Sequence, residues 1–137
     1  MSRTEVEEAV ERLVTSFNGR DRDGWRSSFS ADAELALTLG LGTDSYRGQD
    51  GAGAWFDSMP LLWAEFTVKL RKVDVIDPHM AIAELHASGR GTRPGLTADA
   101  SLSLGVTTAG EKVTRFVVSN DRDQVHADLS RRTRSKR

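Results

Sequence analysis

Few side chains in this chain could move a proton. His86 lies within residues 80–88, and Asp99 sits early in the next apolar–polar alternation. A histidine oriented by a carboxylate is a competent general base near neutral pH, and successive strands of a hairpin can bring such a pair together. Asp121 stands three residues before Gln124, the pattern of an acid that caps a helix. Asn120, just before it, offers an amide that can hydrogen-bond a ligand oxygen or form a turn. His79 falls in a turn and His126 on the last helix, and no HxH or HExxH spacing occurs, so no metal site is expected. There is no cysteine, which excludes disulfides, thiolate metal sites and cysteine nucleophiles. The glycines at 48, 51 and 53 do not form a phosphate-loop pattern, and no cofactor is expected.

The element that must position these groups is residues 113–120, the densest β-branched and aromatic run. Apolar side chains on both its faces predict a central strand. One face would carry Thr114, Phe116, Val118 and Asn120, the other Val113, Arg115, Val117 and Ser119. Before it, Thr4 and Glu7 predict a capping box, followed by the apolar stripe Val6, Val10, Leu13, Val14 and Phe17, with Asn18-Gly19 ending the helix by positive φ. Asp21 or Asp23 can cap a second, short helix with Trp25 and Phe29 on its buried face and Ser30-Ala31-Asp32 breaking it. Residues 34–39 read as a strand, 40–45 as a turn, and Tyr46 as the start of a short return strand. A third helix begins at residues 48–50, carries Ala52, Trp55, Phe56 and Met59, and stops at Pro60. From residue 61 the period becomes two, giving strands near 66–76, 80–88 and 98–106, with a loose loop at 89–95. A last short helix carries Val125 and Leu129.

This order, helices and then an antiparallel meander, predicts an α+β fold with its helices on one sheet face. Ala98, Ala100, Leu102, Leu104, Phe116 and Val118 form the apolar face. Glu84, His86, Asp99 and Arg115 fall on the polar one, as surface or interface groups. Only if that assignment were reversed would His86 and Asp99 meet inside a pocket. Trp25, Tyr46, Trp55, Trp63, Phe66 and Phe116 are candidates for core or for lining a site for a flat or cyclic apolar molecule.

The chain has 137 residues and a formal charge of −1. Its basic residues concentrate at Arg131, Arg132, Arg134, Lys136 and Arg137. Removing these five from 19 leaves 14 basic against 20 acidic residues, a body near −6 with a basic tail at 130–137 expected to be disordered. An acidic body argues against a nucleic-acid partner. No apolar run approaches a membrane span, and the acidic start is unlike a signal peptide, so a cytoplasmic location is expected. One domain, 1–129, is expected.

Phe17-Asn18-Gly19-Arg20-Asp21-Arg22-Asp23-Gly24-Trp25, then Phe29-Ser30-Ala31-Asp32-Ala33, resembles the opening of SnoaL-like proteins of the nuclear transport factor 2-like superfamily. Tyr46-Arg47-Gly48 before a helix and Lys112-Val113-Thr114-Arg115 near the end fit the same pattern. The resemblance implies a cone-shaped, curved, mixed but mainly antiparallel sheet with the N-terminal helices on its concave face. It also implies a pocket between sheet and helices and a homodimer through the outer sheet face. Members include isomerases, cyclases, dehydratases, hydrolases and non-catalytic binding domains, so fold does not choose a function. Registered on Asp21, Phe29 and Asp32, the ketosteroid isomerase tyrosine falls on Leu13 and the base on Leu37. The second acid falls near Ala100 or Leu102, so that mechanism is disfavoured. In some resembling enzymes an acid near Asp121 acts as base. The reading is therefore a domain that binds a small apolar or cyclic ligand. The alternative is a cofactor-free isomerase, cyclase, dehydratase or hydrolase on a polyketide-like or terpenoid substrate, using Asp121 or a His86–Asp99 pair.

Overall fold

In the computed structural model, residues 4–38 and 44–135 are described, with side chains described to Leu129. Thr4 starts α1 (Glu5–Asn18): its hydroxyl accepts from the Glu7 N–H at 3.1 Å, and the Glu7 carboxylate accepts from the Thr4 N–H at 3.0 Å. This reciprocal pair satisfies two otherwise orphaned donors. Val6, Val10, Leu13 and Phe17 bury the predicted stripe. The positive φ expected at Asn18-Gly19 falls instead on Arg20, at 58°. Gly19 stays right-handed because its N–H still bonds back to the Thr15 carbonyl, so the chain reverses one residue later.

Asp21 caps α2 (Arg22–Ser27), accepting from the Gly24 N–H at 3.0 Å. Phe29 does not lie on this helix. It opens β1 (Phe29–Thr38), because the sheet already claims the preceding residue: the Val113 N–H donates to the Ser28 carbonyl at 2.8 Å. Ser30, Ala31 and Asp32 are absorbed in a bulge within the strand rather than breaking a helix. β2 (Asp44–Arg47) pairs with β1, while Leu39 and most of the turn expected at 40–45 lie outside the described residues. α3 (Gly48–Leu62) starts at a glycine with φ 71°, where a Cβ would stand 2.7 Å from the Ala31 carbonyl oxygen. Pro60 was expected to end this helix, yet it runs on to Leu62. A proline so near the end forfeits one backbone bond, and the Trp63 N–H closes the last turn on the Met59 carbonyl.

The sheet contains β2-β1-β6-β5-β4-β3 in that order, where β3 is Trp63–Asp77, β4 Met80–Gly91, β5 Thr97–Ala109 and β6 Lys112–Ser119. It is curved and unclosed, antiparallel except where β6 runs parallel to β1. β6 is thus central, as its apolar faces required. Its alternation is interrupted by a bulge opposite Thr107 and Thr108, so Val113 joins Phe116 and Val118 on the inner face instead of opposing them.

α1, α2 and α3 cover the concave inner face. The expectation that every helix lies on one face is corrected by α4 (Arg122–Ser135), which packs on the outer face. There Val125 and Leu129 close over Ile82 and Val117, and a Cβ at Gly105 would stand 2.6 Å from Val125 Cγ1. The physical cause is a row of apolar or side-chain-free positions, Ile82, Gly105 and Val117, brought into register on three neighbouring strands. Asp121 caps α4, accepting from the Asp123 N–H at 3.0 Å, and Arg122 ties the helix to Asp74 at 2.9 Å and to Glu84. α4 reaches Ser135.

Candidate functional site: an apolar cavity under the helices

Strand alternation decides what faces the hollow between sheet and helices. Leu37, Leu85, Leu104, Phe116 and Val118 rise from the inner face as a floor, and Leu13, Phe17, Trp25, Trp55 and Met59 descend from α1, α2 and α3 as a roof. Between them lies a cavity of about 430 Å³. That is the size class of small-molecule sites, which are mostly apolar with a few placed polar groups. The opening is marked by lining residues that remain accessible: Asp44 on β2, Leu62 at the end of α3, and Ala100 on β5.

The roof is held by aromatic packing. Phe17 stacks on Trp55 at 5.6 Å between ring centroids, with an interplanar angle of 20°. Trp25 meets Phe29 at 5.2 Å, Trp55 at 5.5 Å and Phe116 at 5.7 Å, joining α2 and α3 to the sheet. Its indole N–H donates to the Ala52 carbonyl at 3.0 Å, which fixes the ring in a buried place where that donor must be satisfied. Outside, Arg22 grips Asp57 with two bonds of 2.8 Å, fastening α2 to α3. At the rim, the Asn18 side chain both donates to the Val68 carbonyl (2.8 Å) and accepts from its N–H (2.9 Å), standing in for a missing strand beside β3.

Trp25, Tyr46, Trp55, Trp63, Phe66 and Phe116 all line the cavity. The other expected residues do not. Asn120 is exposed beyond the end of β6, and Asp121 is occupied as the α4 cap. His86 and Asp99 do meet, with Nε2 2.6 Å from Oδ1, but on the outer face. Their neighbours Leu85, Ala87, Ala98 and Ala100 turn inward, and the two side chains are 30% and 79% exposed. The positions on which the isomerase register falls, Leu13, Leu37, Ala100 and Leu102, all line the cavity with side chains that cannot exchange protons. Sequence reasoning missed Asp44 and Ser58. Asp44 was assigned to a turn, although its spacing of two from Tyr46 places both on one face of a strand.

Displaced pKa values occur away from the cavity. Arg22 is raised and Asp57 lowered, chiefly by their mutual hydrogen bonds, and Arg122 is raised chiefly by its bond to Glu84. Among the described residues no three His, Asp or Glu side chains converge as a metal site would require. No helix among them is long and apolar enough to cross a membrane.

A family model described as SnoaL-like domain matches residues 10–127. Among curated sequences none matches the chain. Solved structures share the fold. TerC co-crystallised with polyporic acid is 19% identical with a TM-score of 0.74, covering 90% of this chain and 97% of its own. RV0760c from Mycobacterium tuberculosis, in complex with estradiol-17beta-hemisuccinate, is 15% identical with a TM-score of 0.74, covering 88% and 97%. A putative polyketide cyclase from Sinorhizobium meliloti is 16% identical with a TM-score of 0.67, covering 85% and 100%. At these identities the likeness is one of architecture.

Proposed function

The chain belongs to the SnoaL-like domain family, and from that premise we propose that it binds a small apolar or cyclic molecule between the sheet and the first three helices. The observation that carries the reading is the cavity itself, about 430 Å³ and walled almost wholly by aliphatic and aromatic side chains. Trp25, Tyr46, Trp55, Trp63, Phe66 and Phe116 are the assigned contacts. Neighbours of the same fold, crystallised with polyporic acid and with a steroid ester, support a ligand of this shape. Binding is favoured over proton-transfer catalysis because the wall positions that would carry acids hold leucine and alanine instead. Asn120 and the His86–Asp99 pair, being outside the cavity, take no part in this reading.

The chain contains three tryptophans, and all of them line the cavity, so its indole fluorescence reports on this site. Titration with a neutral polycyclic ketone should quench that fluorescence saturably, with one ligand per chain. Absence of saturable binding across a panel of such compounds would refute the proposal.

The proposal includes a homodimer through the part of the outer sheet face that α4 leaves open. That face carries charges of both signs, with Arg115 2.8 Å and Arg47 3.0 Å from Glu34, besides the His86–Asp99 pair, and such a surface can complement itself about a two-fold axis. Sedimentation showing a monomer at high micromolar concentration would remove it. A cytoplasmic setting is kept as part of the same reading, to be checked by cell fractionation.

A further inference from the structure

One lining residue carries a charge. Asp44 is the first residue of β2 and pairs with Leu37, and Leu37 in turn pairs with Val118. Asp44 therefore ends a row whose other members form the cavity floor. Tyr46, two residues on, shares its face and lines the same hollow. The alternate residue Arg47 points to the other side of the sheet, where it is bound to Glu34 at 3.0 Å. Among the described residues no lysine, arginine or histidine lines the cavity. The wall thus combines one carboxylate at the entrance with an interior rich in aromatic rings. At the entrance the carboxylate favours a cation by direct charge. It disfavours an anion, whose desolvation at this wall would find no compensating positive group.

We infer that the cavity selects apolar molecules bearing an amine over their carboxylate counterparts, with Asp44 as the counter-charge at the entrance. The inference deepens the ligand-binding reading and rests on it: the ring system of the ligand occupies the hollow, and its ammonium group stays at the rim beside Asp44. Because Asp44 is exposed, the selection is a modest, salt-sensitive one rather than that of a buried ion pair.

Calorimetry with three probes sharing one ring system tests this at neutral pH and low salt: naphthylmethylamine, naphthylmethanol and naphthoate. The amine should bind about five-fold tighter than the alcohol, and the carboxylate weaker than the alcohol. Asp44→Asn should bring the amine to the affinity of the alcohol and leave the alcohol unchanged. In the wild type, added salt should weaken the amine alone, an arm that needs no variant. Carboxylate binding equal to or tighter than the amine's overturns the inference, as does an amine preference that survives in Asp44→Asn or at high salt. In each of these results the bound alcohol shows the pocket reading standing. Failure of all three probes, the alcohol included, overturns both readings together.

Discussion

Filling the cavity should separate stability from binding. Ala100 lines the hollow from β5, directly across from Ala87 of β4, and remains accessible at the opening. Ala100→Leu adds three carbons on the inner face. At about 0.8 kcal/mol per buried methylene the ceiling is roughly 2.4 kcal/mol. Because the site is open on one side, less than half of that added surface leaves water, and a gain of about 1 kcal/mol is expected. For a chain of this size that is a rise in Tm of roughly 3–4 °C. The same three carbons occupy room the ligand needs, so affinity for a neutral polycyclic ketone should fall about ten-fold. Thermal unfolding and tryptophan fluorescence titration of one purified variant read both numbers. The opposite signs are the diagnostic. Higher stability with unchanged affinity would place the ligand elsewhere. Lower stability by more than about 1 kcal/mol would mean that the space beside Ala100 is already filled in solution.

Trp25→Phe keeps a ring in the aromatic cluster but removes the indole bond to the Ala52 carbonyl; chemical denaturation should show a loss of about 1–2 kcal/mol, and an unchanged midpoint would deny that bond its role. Gly105→Ala places a methyl 2.6 Å from Val125 Cγ1 and should cost about 1–3 kcal/mol by lifting α4, while ketone affinity stays as it was, because α4 lies on the other face. His86→Ala should leave ketone affinity within about two-fold of wild type, since the imidazole faces outward against Asp99; a larger loss would show that the pair acts on the cavity after all.

The inner face was legible because its signal is repeated along single strands. Ala98, Ala100, Leu102 and Leu104 alternate with polar residues over four positions of one strand, and Phe116 and Val118 keep the same period of two on β6. Such a pattern fixes which side is buried before any partner strand is known. The α1 stripe and its capping box were legible for the same reason, since the helical repeat and the cap lie within one segment. Phe29 was misplaced because a spacing of four from Trp25 satisfies a helix, and nothing local reveals that Ser28 is already bonded to β6. The swap of Val113 to the inner face was equally hidden, since a bulge opposite Thr107 and Thr108 belongs to the pairing and not to either strand alone.

The outer face shows where that kind of reading ends. Ile82, Gly105 and Val117 contribute one residue each from three strands, and along its own strand none of them makes a pattern. They become a docking row only when Ile82 stands opposite Gly105 and Gly105 opposite Val117, which is a property of register. The complementary half, Val125 and Leu129 four apart on α4, is visible in the sequence as an apolar pair on the last helix. The same logic governs Asp44. Its carboxylate belongs to the cavity only because β2 pairs with Leu37 in a register that turns Asp44 and Tyr46 inward and Ser45 and Arg47 outward. A shift of one residue would exchange an aspartate for an arginine-bearing face and reverse the sign of the entrance. The charge preference of the site is therefore set by the pairing of a four-residue strand, and not by the overall charge of the chain.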